Sequence, residues 1–326
     1  MIVQLFKNLA DFKWIAAFLI MIAMFLPFDF NVSSAFESFS LLQKFQFFDF
    51  LNVNQSILLS ILSASLIVLF LSLFHYMLMI HKLISSRNFL GVLYSLLFIV
   101  LWLPDITDVY GIISVGLFYL SIYYIFTAED SSMPLLRIFD ASFLISLSCM
   151  LNVFFIPFLI LPFVALLLFR LFDWRLIASA ITGIILPHFF LMSMYFLFHD
   201  KTFYPELFTQ IFSGFKIGLN NFIAYPVHWI SFAPVLLLTA LKTFSSLGER
   251  KIIVRKKSVF LIWITVFSIL LLFFENGSPQ ILILMIAFPL GYFIATSLLF
   301  LHEKRIFIFL TDIAIPAIIV YHVFFS

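Results

Sequence analysis

The sequence predicts an all-α, polytopic integral membrane protein, and its composition and apolar runs carry that prediction. Of the 326 residues, 64% are apolar and only 10% are charged, against about 25% charged residues in soluble domains. The apolar runs are continuous and do not alternate with polar residues, which excludes a β-barrel. Nine Gly and one Cys exclude collagen-like and disulfide-framework proteins, and nothing in the sequence points to a nucleic-acid partner.

Each apolar run that approaches the roughly 20 residues needed to cross a bilayer predicts one helix. The third, sixth and ninth runs are short, so we expect one of them to be a broken or half-inserted helix. The first run is retained as a span, because its flanks lack a basic start and a small-residue cleavage site. The eleven predicted spans are 12–28, 57–80, 89–103, 109–127, 139–156, 157–170, 176–198, 225–244, 258–274, 280–300 and 306–325.

The orientation follows from the distribution of basic residues. With the N-terminus in the cytoplasm, 15 of the 18 Lys and Arg fall in cytoplasmic segments, and only Lys44, Lys201 and Lys216 fall outside. Such a bias sets the topology of membrane proteins. An odd number of spans then places the C-terminus on the outer side.

Residues 1–326 form one predicted transmembrane domain with three notable loops. Loop 29–56 is predicted to form interfacial helix. Loop 199–224 is the second predicted outer loop, and loop 242–257 is basic and predicted to be cytoplasmic. The basic loop is interpreted as a topology anchor, with binding of a specific lipid or partner as the alternative. No Walker loop, dinucleotide fingerprint or zinc-protease motif is present, which excludes ATP-driven pumping by this chain alone.

Ionisable residues within spans need a partner or a function. Asp140 opens the fifth predicted span three residues after Arg137, a spacing at which the two can pair on one helical face. Asp312 lies about two turns into the last span. His188 follows Pro187 in the seventh, where a hydrogen-bonded packing role is favoured.

Carboxylates gather on the predicted outer side. Asp29 follows the first span, and Asp105 and Asp108 lie in the turn between the third and fourth. One interpretation is purely topological, because basic residues are kept inside. The functional alternative places Asp29 and one of the pair in a common cavity. There a carboxylate serves as general base, or Asp105 and Asp108 hold a divalent cation, the only cofactor considered.

The central third of the chain resembles an uncharacterised family of polytopic inner-membrane proteins, a domain of unknown function in Gram-negative bacteria. The resemblance is carried by Arg-Ile-Phe-Asp-Ala-Ser from position 137, Phe-Arg-Leu-Phe-Asp-Trp-Arg from position 169, and residues 183–187. It implies a multi-pass location in the bacterial inner membrane and no particular activity.

A second, architectural resemblance is to the GT-C superfamily of glycosyltransferases, which use polyprenyl-phosphate sugars. It rests on an acid after the first span, an interfacial helix in the first outer loop and acids between spans three and four. The small-residue run 141–149 followed by Arg170 and Arg175 is also similar. The resemblance implies that Asp29 is the catalytic base, that Asp105 or Asp108 assists, and that the substrate-binding residues are Lys201, Tyr204, Lys216 and His228.

Three functions therefore remain open from the sequence. The first is envelope biogenesis, as a GT-C-like glycosyltransferase that uses a polyprenyl-phosphate-linked sugar at the periplasmic face. The second is a non-enzymatic subunit of a larger inner-membrane export, envelope or respiratory complex. The third is transport of a lipid or hydrophobic solute along a path lined by His188, Asn152 or Asp312. Membrane lipids are expected contacts in all three. The 48 Phe and few Gly predict widely separated helices and thick lipid- or partner-facing surfaces.

Overall fold

The structure, a computed structural model, describes residues 56–84, 90–102, 109–198, 245, 248, 250–272 and 279–300. Throughout these ranges the regular secondary structure is helical, and no strand occurs in them. Five of the described helices contain a stretch long and apolar enough to cross a membrane, namely Leu62–Ile80, Val109–Ala128, Pro134–Leu151, Trp174–Met194 and Gln280–Ser297. The chain is thus a multi-pass helical membrane protein.

Most helix bounds match the predicted spans to within a few residues. The first, eighth and eleventh predicted spans lie outside the described residues, so the total of eleven stays a prediction. The described helices are α1 (Ser56–Ile80), α2 (Leu90–Trp102), α3 (Val109–Ala128), α4 (Pro134–Leu151), a 3-10 helix (Val153–Ile160), α5 (Leu161–Phe169), α6 (Trp174–Phe198), α7 (Ile252–Leu271) and α8 (Pro279–Phe300).

The predicted boundary between the fifth and sixth spans is wrong by about five residues. Helix α4 begins at Pro134, in the first turn where proline is favoured. It ends at Leu151, because the next residue, Asn152, has an extended backbone that breaks the helix. The Asn152 side chain accepts a hydrogen bond from Phe154 N. The returning segment is a 3-10 helix that contains Pro157 and continues into α5. Eight residues is long for a 3-10 helix, so the sixth span combines two helix types.

Contacts at one end of the helices fix their relative directions. The C-terminal ends of α1, α3 and α5 meet the first turns of α7, through His81, Asp130, Phe169 and Lys256. We refer to this end of the molecule as the basic end. It joins segments that the alternating topology assigns to a single side of the membrane.

Helix α8 is the central helix of the described part, since nearly all of its apolar window is buried. The Phe288 ring stacks on Tyr119 with centroids 4.5 Å apart, and Phe74 meets both rings edge-on. The Tyr119 hydroxyl donates a hydrogen bond to the Met285 carbonyl. These contacts attach α8 to α3 and α1 through aromatic rings.

Helix α2 crosses α8 at two glycines. A Cβ added at Gly291 would clash with the Gly91 carbonyl and with Ser95 Oγ, so only glycine permits this backbone approach. Small residues have the same role at close helix crossings in other membrane proteins.

Helices α4 and α6 form a separate seam along which polar side chains bond to backbone. Ser179 Oγ donates to the Leu135 carbonyl, and Ser146 Oγ donates to the Ile184 carbonyl, both at 2.7 Å. Between them, a Cβ on Gly183 would lie 2.7 Å from the Phe139 carbonyl. Opposite this seam, α6 exposes large apolar side chains, among them Ile185, Phe189 and Phe196.

The aromatic residues correct the expectation of widely separated helices. Many phenylalanines lie in the interior, where Phe118, Phe155 and Phe158 form one cluster and Phe126, Phe169 and Phe260 another. The rings fill the spaces between helices, whereas Gly91, Gly183 and Gly291 lie where backbones nearly touch. Both kinds of packing are needed, because helices that lie side by side leave spaces that side chains must fill to reach a close-packed interior.

Candidate functional site

Five charged or titratable side chains meet at the basic end, and we call them the junction cluster: His81, Glu129, Asp130, Lys256 and Lys257. The Lys257 ammonium lies 3.2 Å from Asp130 Oδ2 and 3.1 Å from His81 Nδ1. The Lys256 ammonium lies 3.1 Å from Glu129 Oε1. Two neighbouring acids thereby pair with two neighbouring bases, so the cluster links the ends of α1 and α3 to the start of α7.

Helix C-termini supply part of the site. Helices α1 and α5 each end in a left-handed residue, Lys82 with φ 57° and Arg170 with φ 60°. Leu83 N donates to the Leu78 carbonyl, and Leu171 N donates to the Leu166 carbonyl, which is the Schellman pattern. Glycine usually occupies this left-handed position.

Lys256 also donates to the Phe169 carbonyl at 3.3 Å. That carbonyl belongs to the last turn of α5, where the helix itself provides no donor. A cation here also interacts favourably with the helix dipole. The side chain of Lys256 therefore joins α3, α5 and α7.

Burial distinguishes the two ion pairs. The side chain of Lys257 is 1% exposed, whereas that of its partner Asp130 is 57% exposed. The ammonium also lies 5.8 Å from the centre of the Phe126 ring, a favourable cation–π distance. Lys257 is thus a buried cation whose counter-ion stays in contact with solvent or headgroups.

His81 is held neutral by its surroundings. The pKa of His81 is lowered from 6.5 to about 4, chiefly by burial and also by the nearby Lys257 charge, while Asp130 opposes the change. Because lysine has only donors, Nδ1 accepts from Lys257 and the ring proton lies on Nε2. In the described part of the chain, His81 Nε2 and Glu129 Oε2 are buried without a hydrogen-bond partner.

A second polar contact joins α7 to α8 on the same side. The Tyr292 hydroxyl lies 2.7 Å from Ser258 Oγ and accepts a 2.7 Å hydrogen bond from the Arg250 guanidinium. Tyr292 is fully buried, so the contact satisfies a hydroxyl that would otherwise be costly in the interior. The central helix is therefore tied to the basic end as well.

The contacts of the junction cluster give it a structural role. Its acids and bases neutralise one another, and the low pKa keeps His81 uncharged at neutral pH. Within the described ranges no group of three or more His, Cys, Asp or Glu side chains is placed to hold a metal ion. The cluster fixes where four helix ends meet, and it displays neither a nucleophile nor an open cation site.

The predicted catalytic and substrate-binding residues all lie outside the described residues, and so does Asp312. They stay predictions, together with the divalent cation considered for the acidic turn. These residues are Asp29, Asp105, Asp108, Lys201, Tyr204, Lys216 and His228.

The other polar residues singled out in the sequence are described, and Arg137, His188 and Asn152 have defined contacts. Arg137, in the first turn of α4, lies with its guanidinium 5.5 Å from the centre of the Tyr124 ring. Arg137 and Asp140 are half-buried, and Asp140 lies in the second turn of α4 instead of opening it. His188 Nδ1 lies 2.8 Å from Ser146 Oγ, across the seam between α4 and α6. Asn152 caps the 3-10 helix.

The basic loop predicted at 242–257 is too long, because α7 already begins at Ile252. Its last two lysines belong to the first turns of that helix and pair with Glu129 and Asp130. The positive-inside pattern predicted only that these lysines anchor the topology, and it did not predict the pairing. The sequence did contain an indication of this pairing. Glu129 and Asp130 are neighbours, and the predicted topology places them on the same side of the membrane as Lys256 and Lys257.

The comparisons with known proteins add no assignment. Neither a protein-family model, nor a curated protein, nor a solved structure matches the chain.

Proposed function

We propose that the chain acts in envelope biogenesis in the bacterial inner membrane, as a GT-C-like glycosyltransferase that uses a polyprenyl-phosphate-linked sugar at the periplasmic face. The supporting observation is the direction of α3. This helix runs unbroken from Val109 to Ala128 and is tied at its C-terminal end to the junction cluster. Twenty helical residues span about 30 Å, so the start of α3 lies a full bilayer away from the basic end.

This direction supports an outward-facing role for Asp105 and Asp108. Asp108 directly precedes Val109 and Asp105 lies four residues before it, and the positive-inside rule assigns the basic end to the cytoplasm. In the proposed reaction, Asp29 removes the proton from an acceptor hydroxyl as that oxygen attacks the anomeric carbon. The bond from that carbon to the phosphate oxygen breaks, and Asp105 or Asp108 assists, directly or through a divalent cation. Lys201, Tyr204, Lys216 and His228 bind the lipid phosphate.

The sidedness is tested by labelling single cysteines with a membrane-impermeant maleimide. The native Cys149 is buried and gives little background. We expect cysteines at 105 and 108 to be labelled from the periplasmic side of intact cells. A cysteine at Lys251, an exposed residue at the start of α7, is the matched control and is labelled only after lysis. Labelling of 105 from the cytoplasmic side contradicts the proposal.

The activity is tested with the full chain in nanodiscs, a polyprenyl-phosphate hexose and a mixture of hydroxyl acceptors. We expect release of the polyprenyl phosphate. Replacing Asp29 by Asn is expected to reduce the rate about 10²–10⁴-fold, the usual contribution of a general base. Glu37→Gln, an acid on the same predicted side, is the control and retains the rate. Release that is unaffected by Asp29→Asn refutes the assignment of the base.

A second candidate function, a non-enzymatic subunit of a larger inner-membrane assembly, is favoured by the surface of α6. Only 28% of its apolar window is buried, and Phe189 and Phe196 are more than half exposed. Large exposed apolar patches mark either lipid or partner surfaces. A photoreactive residue at Phe189 distinguishes the two, since a subunit gives a cross-linked polypeptide. A particle mass equal to the single 37.9 kDa chain argues against this function.

A further inference from the structure

A narrow apolar groove lies between α1 and α3 on the outer surface of the helix bundle. It has a volume of about 230 Å³ and is lined by Phe70, Leu73, Tyr76, Gly116, Leu120 and Tyr123 among others. The lining carbon atoms leave almost no polar surface, so the groove selects a hydrocarbon occupant.

The groove opens sideways, at the depth of the bilayer. Both of its walls are predicted membrane spans. Three rim residues are substantially exposed, with Leu73 at 48%, Tyr76 at 58% and Leu120 at 39%. The groove therefore faces lipid tails and is accessible from them without passage through water.

Gly116 shapes the floor of the groove. A Cβ at this position would clash with the Phe70 ring, so the missing side chain lets that ring lie against α3. From Phe70 to Met77, and from Gly116 to Tyr123, the groove follows eight residues of each helix, a rise of about 10 Å along the axes.

These dimensions decide the kind of occupant. A groove of about 230 Å³ has too little volume for a whole helix, which with its side chains is about 10–12 Å in diameter, so a further helix would contribute a side chain at most. A single extended hydrocarbon chain fits the apolar lining and the elongated shape of the groove.

The charge at one end of the groove indicates which polar group is attached to the hydrocarbon chain. Tyr76, Met77 and Tyr123 mark the end nearest the junction cluster, since the rings of Tyr123 and His81 lie 5.9 Å apart. Just beyond that end, Lys82 is exposed at the left-handed C-terminal position of α1. A cation five residues beyond Met77, at the end of an apolar groove, matches the phosphate above an acyl chain.

We propose that the α1–α3 groove binds one acyl chain of a phospholipid, with the lipid phosphate at Lys82. This site lies at the basic end, opposite the predicted catalytic acids, so it is independent of the proposed transferase reaction. Asp130 is exposed at the same end, and its negative charge faces the ammonium of a zwitterionic headgroup.

The test uses the full chain in nanodiscs of phosphatidylethanolamine and phosphatidylglycerol that contain a trace of phospholipid with a photoreactive acyl chain. We expect labelling of peptides from α1 and α3. Filling the groove with Leu73→Trp is expected to reduce labelling at least tenfold, because each buried methylene adds about 0.8 kcal/mol. Leu69→Trp is the matched control, since Leu69 is equally exposed on α1 but does not line the groove, and it retains full labelling.

Lys82→Gln tests the headgroup contact. We expect about fivefold weaker labelling by the phosphatidylglycerol probe, the effect of one basic residue near a lipid surface. Lys251→Gln, at another exposed position of the basic end, is the control. Should Leu73→Trp fail to fold, Leu120→Phe fills the groove from its other wall.

A photoreactive amino acid at Leu73 gives the independent readout. A mass increase equal to one phospholipid supports the proposal. A cross-link to a second copy of the chain, to another segment of the same chain or to another protein overturns it. Equal labelling of the wild type and of folded Leu73→Trp overturns it as well.

Discussion

Helices α8 and α6 have nearly the same length and the same mean hydropathy over their apolar windows, yet their environments are opposite. In α8, 94% of the apolar window is buried inside the protein, against 28% in α6. Each contains one interior proline, Pro289 in α8 and Pro187 in α6. Composition therefore does not distinguish the central helix from the peripheral one.

The contacts explain the difference. Helix α8 is surrounded by α1, α2, α3 and α7, through ring stacking at Tyr119, a glycine crossing at Gly91 and a hydroxyl contact at Ser258. Helix α6 packs mainly on α4, along one seam of serines and a glycine. In a bilayer the lipid tails are as apolar as leucine, so apolarity alone does not bring helices together. Shape and hydrogen bonds decide which helix becomes central.

The largest effect is expected at the crossing of α2 and α8. Replacing Gly291 by Leu forces a side chain against Ser95 and the Gly91 carbonyl, and we expect a loss of about 3 kcal/mol or more of stability from overpacking. The readout is the midpoint of thermal aggregation of a fluorescent fusion in detergent. Ile185→Leu on exposed α6 is the control. Equal loss in the two variants would show that α8 is not the central helix.

Removing the buried cation is expected to have the next largest effect. Lys257→Met keeps the apolar stem but leaves His81 Nδ1 without its donor, and we expect a loss of about 2 kcal/mol of stability. Exposed Asp130 limits the cost, because its carboxylate remains solvated. The same thermal measurement checks this prediction, with Lys251→Met as the control. No change in Lys257→Met would show that the junction cluster does not hold α7 in place.

The junction cluster also predicts a pH dependence. His81 has a pKa of about 4 in the folded chain and 6.5 otherwise, so the unfolded state binds the proton more readily between these values. The contribution of neutral His81 is complete above pH 6.5 and decreases as the pH falls towards 4. Because Asp130 beside it is exposed, solvent screening limits the total loss to about 1–2 kcal/mol.

Thermal midpoints of the wild type and of His81→Gln, measured from pH 7.5 to 4.5, test this dependence. The non-titrating variant is expected to show a flatter profile than the wild type. Parallel profiles would contradict the role assigned to His81.

The smallest effects compare single hydrogen bonds in the two regions. Tyr119→Phe removes a buried hydrogen bond to α8, and we expect a loss of about 1 kcal/mol. Ser146→Ala removes bonds across the seam between α4 and α6, where about 0.6 kcal/mol is typical of membrane helices. Both losses are read from urea or detergent unfolding curves. A larger loss for Ser146→Ala would reverse the proposed order of the two regions.

The sequence predicted the helices more accurately than their breaks. The spans at 57–80, 109–127 and 280–300 agree closely with α1, α3 and α8 because long apolar runs have one stable conformation in lipid. The break at Asn152 was missed, since it depends on one side chain that caps a 3-10 helix inside a continuous apolar run. The pairing of Glu129 and Asp130 with Lys256 and Lys257 was missed as well, because it joins residues 127 positions apart.

The sequence by itself determined that the chain is built for a lipid bilayer, that it is helical, and that basic and acidic segments alternate along it, because each property depends on local composition. Only the tertiary structure decided that α8 is central and α6 peripheral, that Lys257 is a buried cation, and that α1 and α3 enclose a groove. Those outcomes depend on which side chains meet across helices, where the positions of a glycine, a ring or an ammonium group matter and mean hydropathy does not.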